Sequence, residues 1–360
     1  MNTIPAATLR EQLDHVFRAW GMRDDYRDIC IARMLDSDLM GIDSHGVGML
    51  GSYEDNRIRK AMVVNPEPEV IKDKGAVAQL DAGHGMGHIG ATLGMQLAMA
   101  KAREFGIGAV NVRQSNHYGA AGAYSNMARR EGLIGISTTG ATQRSVVPTF
   151  GREPRFSTNP IAFAAPGKVG NGFSLDMATS TVAVGKIKIA ERANQSIPEG
   201  WAMDEQGDPE TDPTTALTSL PKRLTPLGGT RTLGSHKGYG LAVMVEILSS
   251  VLGGNFVGGF ELPSGERGQY TNVGHFFLAL DPGAFGEHDH DFENYLDILT
   301  NYLRETLPID PSQPVLVPGD PEWDAHAERS ANGIPMTDKL IDEIREVCAS
   351  TNAEFVLGSD

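Results

Sequence analysis

Cysteine is almost missing from this chain: 2 in 360 residues, Cys30 and Cys348, at opposite ends of the sequence. Two isolated thiols make neither a disulfide framework nor a CxxC redox or metal motif, and each reads as a small buried hydrophobe. Basic charge is short as well. The 31 Lys and Arg are outnumbered by 46 Asp and Glu, giving a net charge of -15. A surface that negative repels phosphate backbones and anionic membranes, so no nucleic-acid or membrane partner is expected. A small anionic substrate would need a local cluster of Arg, Lys or His. No apolar run approaches the roughly 18–20 residues that span a bilayer, and residues 1–21 lack the apolar core of a signal peptide. A cytoplasmic location is the expectation. Aromatics reach only 7%, but 40% of residues are hydrophobic and the 42 Gly follow no three-residue period. A disordered or fibrous chain is excluded, and the length fits about two domains.

Residues 6–20 place Leu9, Leu13, Val16 and Phe17 at helical spacing, and 24–40 repeats the stripe through Ile29, Ile31, Met34 and Leu35. The second helix runs out at Gly41-Ile42-Asp43-Ser44-His45-Gly46, and Asn65-Pro66-Glu67-Pro68 breaks the chain. From residue 76 the texture alternates. Strands are expected at 76–81, 107–112, 133–138, 173–176 and 275–280, and helices at 91–105, 120–130 and 240–252. Further helices, 291–306 and 337–350, flank a Pro-rich run at 308–321. The boundaries that follow are an N-terminal helical segment 1–75, an α/β domain 76–285 and a C-terminal helical segment 286–360 packing with the first. Polar, aperiodic 197–232 reads as an active-site cover, a subunit contact or a mobile excursion.

Gly83-His84-Gly85-Met86-Gly87-His88-Ile89-Gly90 lies between an expected strand and helix and contains GxGxxG. In a Rossmann unit such glycines admit a pyrophosphate to a helix N-terminus. That unit also needs an acidic residue at the end of the next strand, and Asn111-Val112-Arg113-Gln114-Ser115 supplies none. A glycine turn shaped for other reasons is the better reading.

Asp43-Ser44-His45-Gly46 offers an imidazole, the group best suited to proton transfer near neutral pH, beside a hydroxyl; the same residues also suit a helix C-cap. Ser115-Asn116-His117-Tyr118-Gly119-Ala120-Ala121-Gly122 begins where a strand ends, the place where α/β proteins collect ligands. Hydroxyl-rich Ser157-Thr158-Asn159-Pro160 and Asp176-Met177-Ala178-Thr179-Ser180 flank another strand. Lys237 sits among glycines in Gly234-Ser235-His236-Lys237-Gly238-Tyr239-Gly240 at a helix start, which suits phosphate, but GxxxxGK[ST] is not matched. His288-Asp289-His290-Asp291 looks like a ligand cluster. Adjacent ligands on a loop rarely converge on one ion, however, and HExxH is absent, so no metal site is expected. No GxSxG appears, which argues against a serine hydrolase.

These segments, in this order, resemble the malate/L-lactate dehydrogenase family of the non-Rossmann type, also called L-sulfolactate or ureidoglycolate dehydrogenase-like. Ser157-Thr158-Asn159-Pro160-Ile161-Ala162-Phe163, Pro318-Gly319-Asp320-Pro321-Glu322 and Asn332-Gly333-Ile334-Pro335 extend the match over about residues 40–340. The resemblance implies an L-sulfolactate dehydrogenase-like α/β fold: a non-Rossmann cofactor domain with a mixed sheet, bracketed by helical ends. It implies a homodimeric oxidoreductase that uses NAD or NADP to interconvert 2-oxo and 2-hydroxy acids. Reduction of cyclic imino acids with NADPH, or a repurposed cofactor-binding protein, is the alternative. By the same resemblance Ser44 and His45 are the proton-handling pair and His117 lies beside the nicotinamide, with Thr158 touching substrate. Cofactor contacts fall to His117, Tyr118, Gly119, Ala120 and Ala121, to Asp176, Met177 and Ala178, to Val184 and Gly185, to Lys237, and to Pro318, Gly319 and Asp320.

One departure matters. The family carries an Arg four residues after the Ser-His-Gly histidine, where its fork grips the substrate carboxylate. This chain has Met49, a flexible apolar side chain suited to an apolar or extended part of a substrate. The carboxylate would then be held elsewhere, by Arg57 or Arg144. Which of His45 and His117 is the acid/base is left open by the sequence.

Overall fold

The computed structural model describes residues 2–140, 144–255, 270–286 and 291–358. The chain opens with a short strand, β1 (Asn2–Ile4), and two helices, α1 (Ala6–Ala19) and α2 (Asp24–Leu39). The α1 stripe of Leu9, Leu13, Val16 and Phe17 is wholly buried, as are Cys30, Ile31 and Met34 of α2. Asp24 and Asp25 complement the dipole at the start of α2, and Gly41, at φ +79°, supplies the left-handed residue past its end. The turn then tightens through Val47–Met49 into α3 (Leu50–Ile58), a helix the periodicity did not suggest.

Next come β2 (Glu69–Lys74), β3 (Val77–Asp81), α4 (Gly87–Phe105), β4 (Ile107–Ser115), α5 (Gly122–Arg130), β5 (Ile134–Thr139), β6 (Ile161–Ala165) and β7 (Phe173–Met177). The third stretch holds α6 (Val184–Arg192), β8 (Ala202–Met203), β9 (Pro209–Glu210), α7 (Pro213–Thr218), α8 (Ser235–Glu246) and β10 (Val273–Leu280). It closes with α9 (Asp291–Arg304), α10 (Asp320–Asn332), β11 (Ile334–Met336) and α11 (Asp338–Thr351). Seven strands form one mixed sheet in the order β2-β3-β4-β10-β5-β6-β7. Within it β3 and β4, joined across α4, are parallel; every other neighbouring pair is antiparallel. A doubly wound dinucleotide fold would be mostly parallel, so the non-Rossmann expectation holds. The continuous apolar run of β10 fits its central place, bonded to β4 on one side and β5 on the other.

The two ends of the chain meet. β1 pairs antiparallel with β11, and Ile341, Ile344 and Val347 of α11 share a core with Leu9, Leu13 and Phe17 of α1. The sheet, however, begins at Glu69, ahead of the expected break at 76. On the other side, α9 docks onto the loop after β6, where Asp297 accepts the backbone N–H groups of Lys168 (3.1 Å) and Val169 (2.8 Å). Residues 197–232 pack Ile197, Ala202, Ala216 and Leu224 into a small core shared with Val146, Val182 and Ile187. The helix expected at 240–252 starts earlier, at Ser235, and continues past Glu246 as a π-turn over Ile247–Val251. His288, Asp289 and His290 lie outside the described residues, and among the described ones no cluster of His, Cys, Asp or Glu could hold a metal ion.

The glycine run 83–90 packs the chain against itself. A Cβ on Gly87 would overlap the carbonyl groups of Asn116 and His117; one on Gly85 would overlap Pro66; one on Gly90 would lie 2.7 Å from Ala82 Cβ. Asn116 Nδ2 ties the same two segments together by donating to the carbonyls of His84 and Gly85, each at 2.9 Å. Gly87→Ala should therefore destabilise the protein by about 3 kcal/mol, the upper end for overpacking against atoms that cannot yield. Chemical denaturation checks it. An unchanged midpoint with a lost cofactor affinity would make the run a phosphate loop after all.

Candidate active site

Three segments converge on two histidines. The turn after α2 presents His45, the end of β4 presents His117, and α3 presents Tyr53. The His45 and His117 rings lie 5.7 Å apart between centroids and within 28° of parallel. Ser44 Oγ meets His45 Nδ1 at 2.8 Å. Tyr53 Oη meets His117 Nδ1 at 2.9 Å, and the Gly119 N–H points to the same nitrogen at 3.4 Å. When Nδ1–H donates to Tyr53 Oη, Nε2 is the nitrogen of His117 whose lone pair is left to react. Burial pulls the pKa of His117 down to about 3, with repulsion from His45 adding to it, and burial also lowers that of His45. Both rings are thus neutral at physiological pH, and the site tolerates one positive charge at most.

Beneath this pair two further histidines are buried. His88 is fully buried edge-on to the Tyr53 ring, 5.4 Å between centroids. His275 of β10 bridges Ser115 Oγ and Thr139 Oγ1, each at 2.8 Å, and stacks on Tyr118 at 4.5 Å. The strand end that carries His117 is therefore braced from the middle of the sheet. Sequence reasoning assigned no role to Tyr53, His88 or His275. Tyr53 lies on α3, whose glycine-broken start hid the helix, so nothing local marked it out.

The expected cofactor residues fall into linked groups. The turn Tyr118-Gly119-Ala120-Ala121 offers bare backbone, with Gly119 at φ +75°. At its end the Gly122 N–H donates to Asp176 Oδ2 at 2.7 Å, which brings Asp176, Met177 and Ala178 alongside. Burial raises the pKa of Asp176 to about 6 against that bond. The Ser174 N–H donates to the Pro318 carbonyl at 3.1 Å, so the Pro318-Gly319-Asp320 loop joins the same edge. Asp320 is itself committed to Arg304, 2.7 Å away, and to the N–H of Val317. Ala120, Asp176, Asp36, Ser174 and Glu322 line a small cavity here.

A second group surrounds Thr158. Its carbonyl accepts the Thr179 N–H at 2.8 Å, and the Thr179 carbonyl accepts the Leu227 N–H at 2.9 Å. The Leu227 carbonyl in turn accepts the N–H of Gly238, beside the exposed Lys237 in the first turn of α8. Val184 and Gly185 form the first turn of α6. Met49 is half-buried, one turn before Tyr53, against the N-terminal core. Arg57 is committed within its own helix: its guanidinium forks onto Glu54 at 2.7 and 2.8 Å and rests 5.7 Å from the Trp20 ring.

Known proteins resemble this chain over nearly its whole length. Residues 4–345 match the model of a family described as malate/L-lactate dehydrogenase. The chain is 36% identical over 345 residues to malate dehydrogenase of Pyrococcus abyssi, covering 96% of this chain and 93% of that one. Its structure is similar to that of malate dehydrogenase from Entamoeba histolytica, with a TM-score of 0.92, 31% identity and 98% and 99% of the two chains covered. It is also similar to sulfolactate dehydrogenase from Methanocaldococcus jannaschii, with a TM-score of 0.87, 31% identity and 98% of each chain covered. A match of this extent, in sequence and in fold, makes the chain a member of the malate/L-lactate dehydrogenase family.

Proposed function

We propose that this enzyme interconverts a 2-hydroxy acid and the matching 2-oxo acid with NAD or NADP, the His45–His117 pair handling the substrate proton. The observation that carries the reading is the pair itself: two neutral imidazoles face each other, one held by Ser44 and the other by Tyr53. When bound, the nicotinamide supplies or accepts the hydride. The chain moves the proton. In oxidation the ring works as the Nδ1–H tautomer, donating to Tyr53 Oη, so that the Nε2 lone pair takes the proton from the substrate hydroxyl; in reduction the imidazolium returns it from Nε2. Burial makes Tyr53 much harder to ionise, so it orients the ring and does not relay the proton. Ser44 and His45 complete the substrate side, to which Thr158 is also assigned.

The residues present suit a dinucleotide. The Gly119–Gly122 backbone is bare of bulky side chains beside the cavity at Asp176, and the first turn of α6, which has no side-chain cap, offers N–H groups to a pyrophosphate. Around that cavity the carboxylates of Asp36, Asp176 and Glu322 outnumber one guanidinium, that of Arg130, which is paired with Asp36, and this balance favours the ribose hydroxyl of NAD over a 2′-phosphate. A fluorescence titration should therefore show tighter binding of NADH than of NADPH. Lys237→Ala should weaken both by roughly tenfold, the lower end for a charged hydrogen bond, because Lys237 is exposed. Failure of either cofactor to bind would overturn the reading; an unaltered dissociation constant in the variant would remove Lys237 alone.

A homodimer belongs to the same proposal, supported by the apolar side chains that α9 exposes, Tyr295 (65%) and Tyr302 (72%) among them. So do a cytoplasmic location and a chain of three segments near 1–75, 76–285 and 286–360. No helix among the described residues is long and apolar enough to cross a membrane.

A further inference from the structure

We infer that Arg329, on α10, is a positioning residue for the reaction, fixing the turn that carries His45. Its Nη1 donates to the Asp38 carbonyl at 2.6 Å and to Asp43 Oδ1, and its Nη2 donates to Asp43 Oδ2 at 3.2 Å. The guanidinium is largely withdrawn from solvent, its side chain 12% exposed. One fork therefore holds both ends of the segment 38–43, immediately before Ser44 and His45. A planar guanidinium can span the two sites at once, whereas an ammonium reaches one at a time.

The turn has an inner lock that leaves it little slack. Asp38 Oδ2 accepts the Val47 N–H at 2.9 Å, and the Asp38 carboxyl fills the space where a side chain at residue 46 would stand, so only Gly46 fits. Arg329 adds the outer lock, and it does so from the far end of α10. That helix starts at Asp320, in the loop bonded to β7 through Pro318. Nine residues of helix span roughly 14 Å. One rigid element thus has the cofactor-side loop at its start and the His45 turn at its end, and it fixes their spacing.

This inference rests on the reading of His45 as a member of the proton-handling pair. The test is a cycle of Arg329→Met, Arg329→Lys, His45→Ala and the double variant Arg329→Met/His45→Ala. Turnover, the NADH dissociation constant and the melting temperature are measured for each. Arg329→Met should lower kcat about 10- to 30-fold while NADH affinity stays within twofold, because the cofactor loop lies at the other end of the helix. Arg329→Lys should recover part of the loss. The double variant should be no slower than His45→Ala alone, since residues acting through one group are not additive. If Arg329→Met keeps its turnover while His45→Ala loses it, the positioning role is wrong and the His45 reading stands. If His45→Ala is itself unimpaired, the His45 reading falls; a loss in Arg329→Met that persists in the double variant then overturns this inference too. A kcat loss matched by weaker NADH binding and a lower melting temperature would make Arg329 a general structural tie.

Discussion

Replacing His117 by Ala should lower turnover by roughly 10²- to 10⁴-fold, the cost of losing a general acid–base. The residue sits where β4 ends, its Nδ1 held by Tyr53 at 2.9 Å, so its Nε2 has a fixed direction that a water molecule cannot reproduce. NADH binding should weaken as well, because Tyr118 and Gly119 next to it form part of the proposed cofactor turn. His45→Ala should also impair turnover but leave cofactor affinity nearly unchanged. Tyr53→Phe separates orientation from proton relay. It removes one hydrogen bond, worth about 1 kcal/mol, and should cost less than about tenfold. A Tyr53→Phe loss equal to that of His117→Ala would mean that the tyrosine carries the proton itself.

The pH profile gives the same reading a sign. Oxidation needs a neutral imidazole, and burial depresses the pKa of both His45 and His117 below the ordinary 6.5. Acidification through 6.5 should therefore leave kcat/KM for oxidation high, with the decline coming only at lower pH, where the base finally protonates. Removing His45 takes away a neighbour that disfavours charge on His117, so the acid limb of His45→Ala should move to higher pH. A wild-type limb at or above 6.5 would place the base in a more solvated setting than this one.

Much of the fold could be read locally, and the remainder is long-range. The stripes of α1 and α2 and the β3-α4-β4 unit follow from periodicity, since each buries one face. The sheet order does not: β10, far along the chain, inserts between β4 and β5, and no local pattern records that. The α3 helix was hidden by Gly46, Gly48 and Gly51. Because α10 buries no residue, it shows no stripe. An Asp320-Pro321 start after Gly319 was its one available signal. The site divides along the same line. His45 and His117 stand out by chemistry and by their places at the ends of elements. Tyr53 reads locally as a core aromatic, and Arg329, 286 residues from Asp43, reads as a helix surface charge.

Met49→Arg should shift substrate preference toward the smallest 2-oxo acids by roughly 10²- to 10³-fold, the scale of gaining a forked, partly buried charge pair. Pyruvate offers little besides its carboxylate, so an enzyme lacking a fork at this position loses much of its hold on the transition state. Met49 stands half-buried one turn before Tyr53, on the way from the His45 turn to α3, so an Arg there could reach a substrate lying against His117. Arg57, the nearer cation in sequence, is spent on Glu54 and cannot take over the grip. Wild type is therefore expected to prefer a substrate with an apolar or extended group near Met49, its carboxylate held from another side. The variant should gain on pyruvate and oxaloacetate and lose on bulkier 2-oxo acids. Comparison of kcat/KM across that series in both proteins decides it. If wild type already favours the small diacid and the variant gains nothing, the carboxylate grip is intact without residue 49, and Met49 is only a packing residue of the N-terminal core.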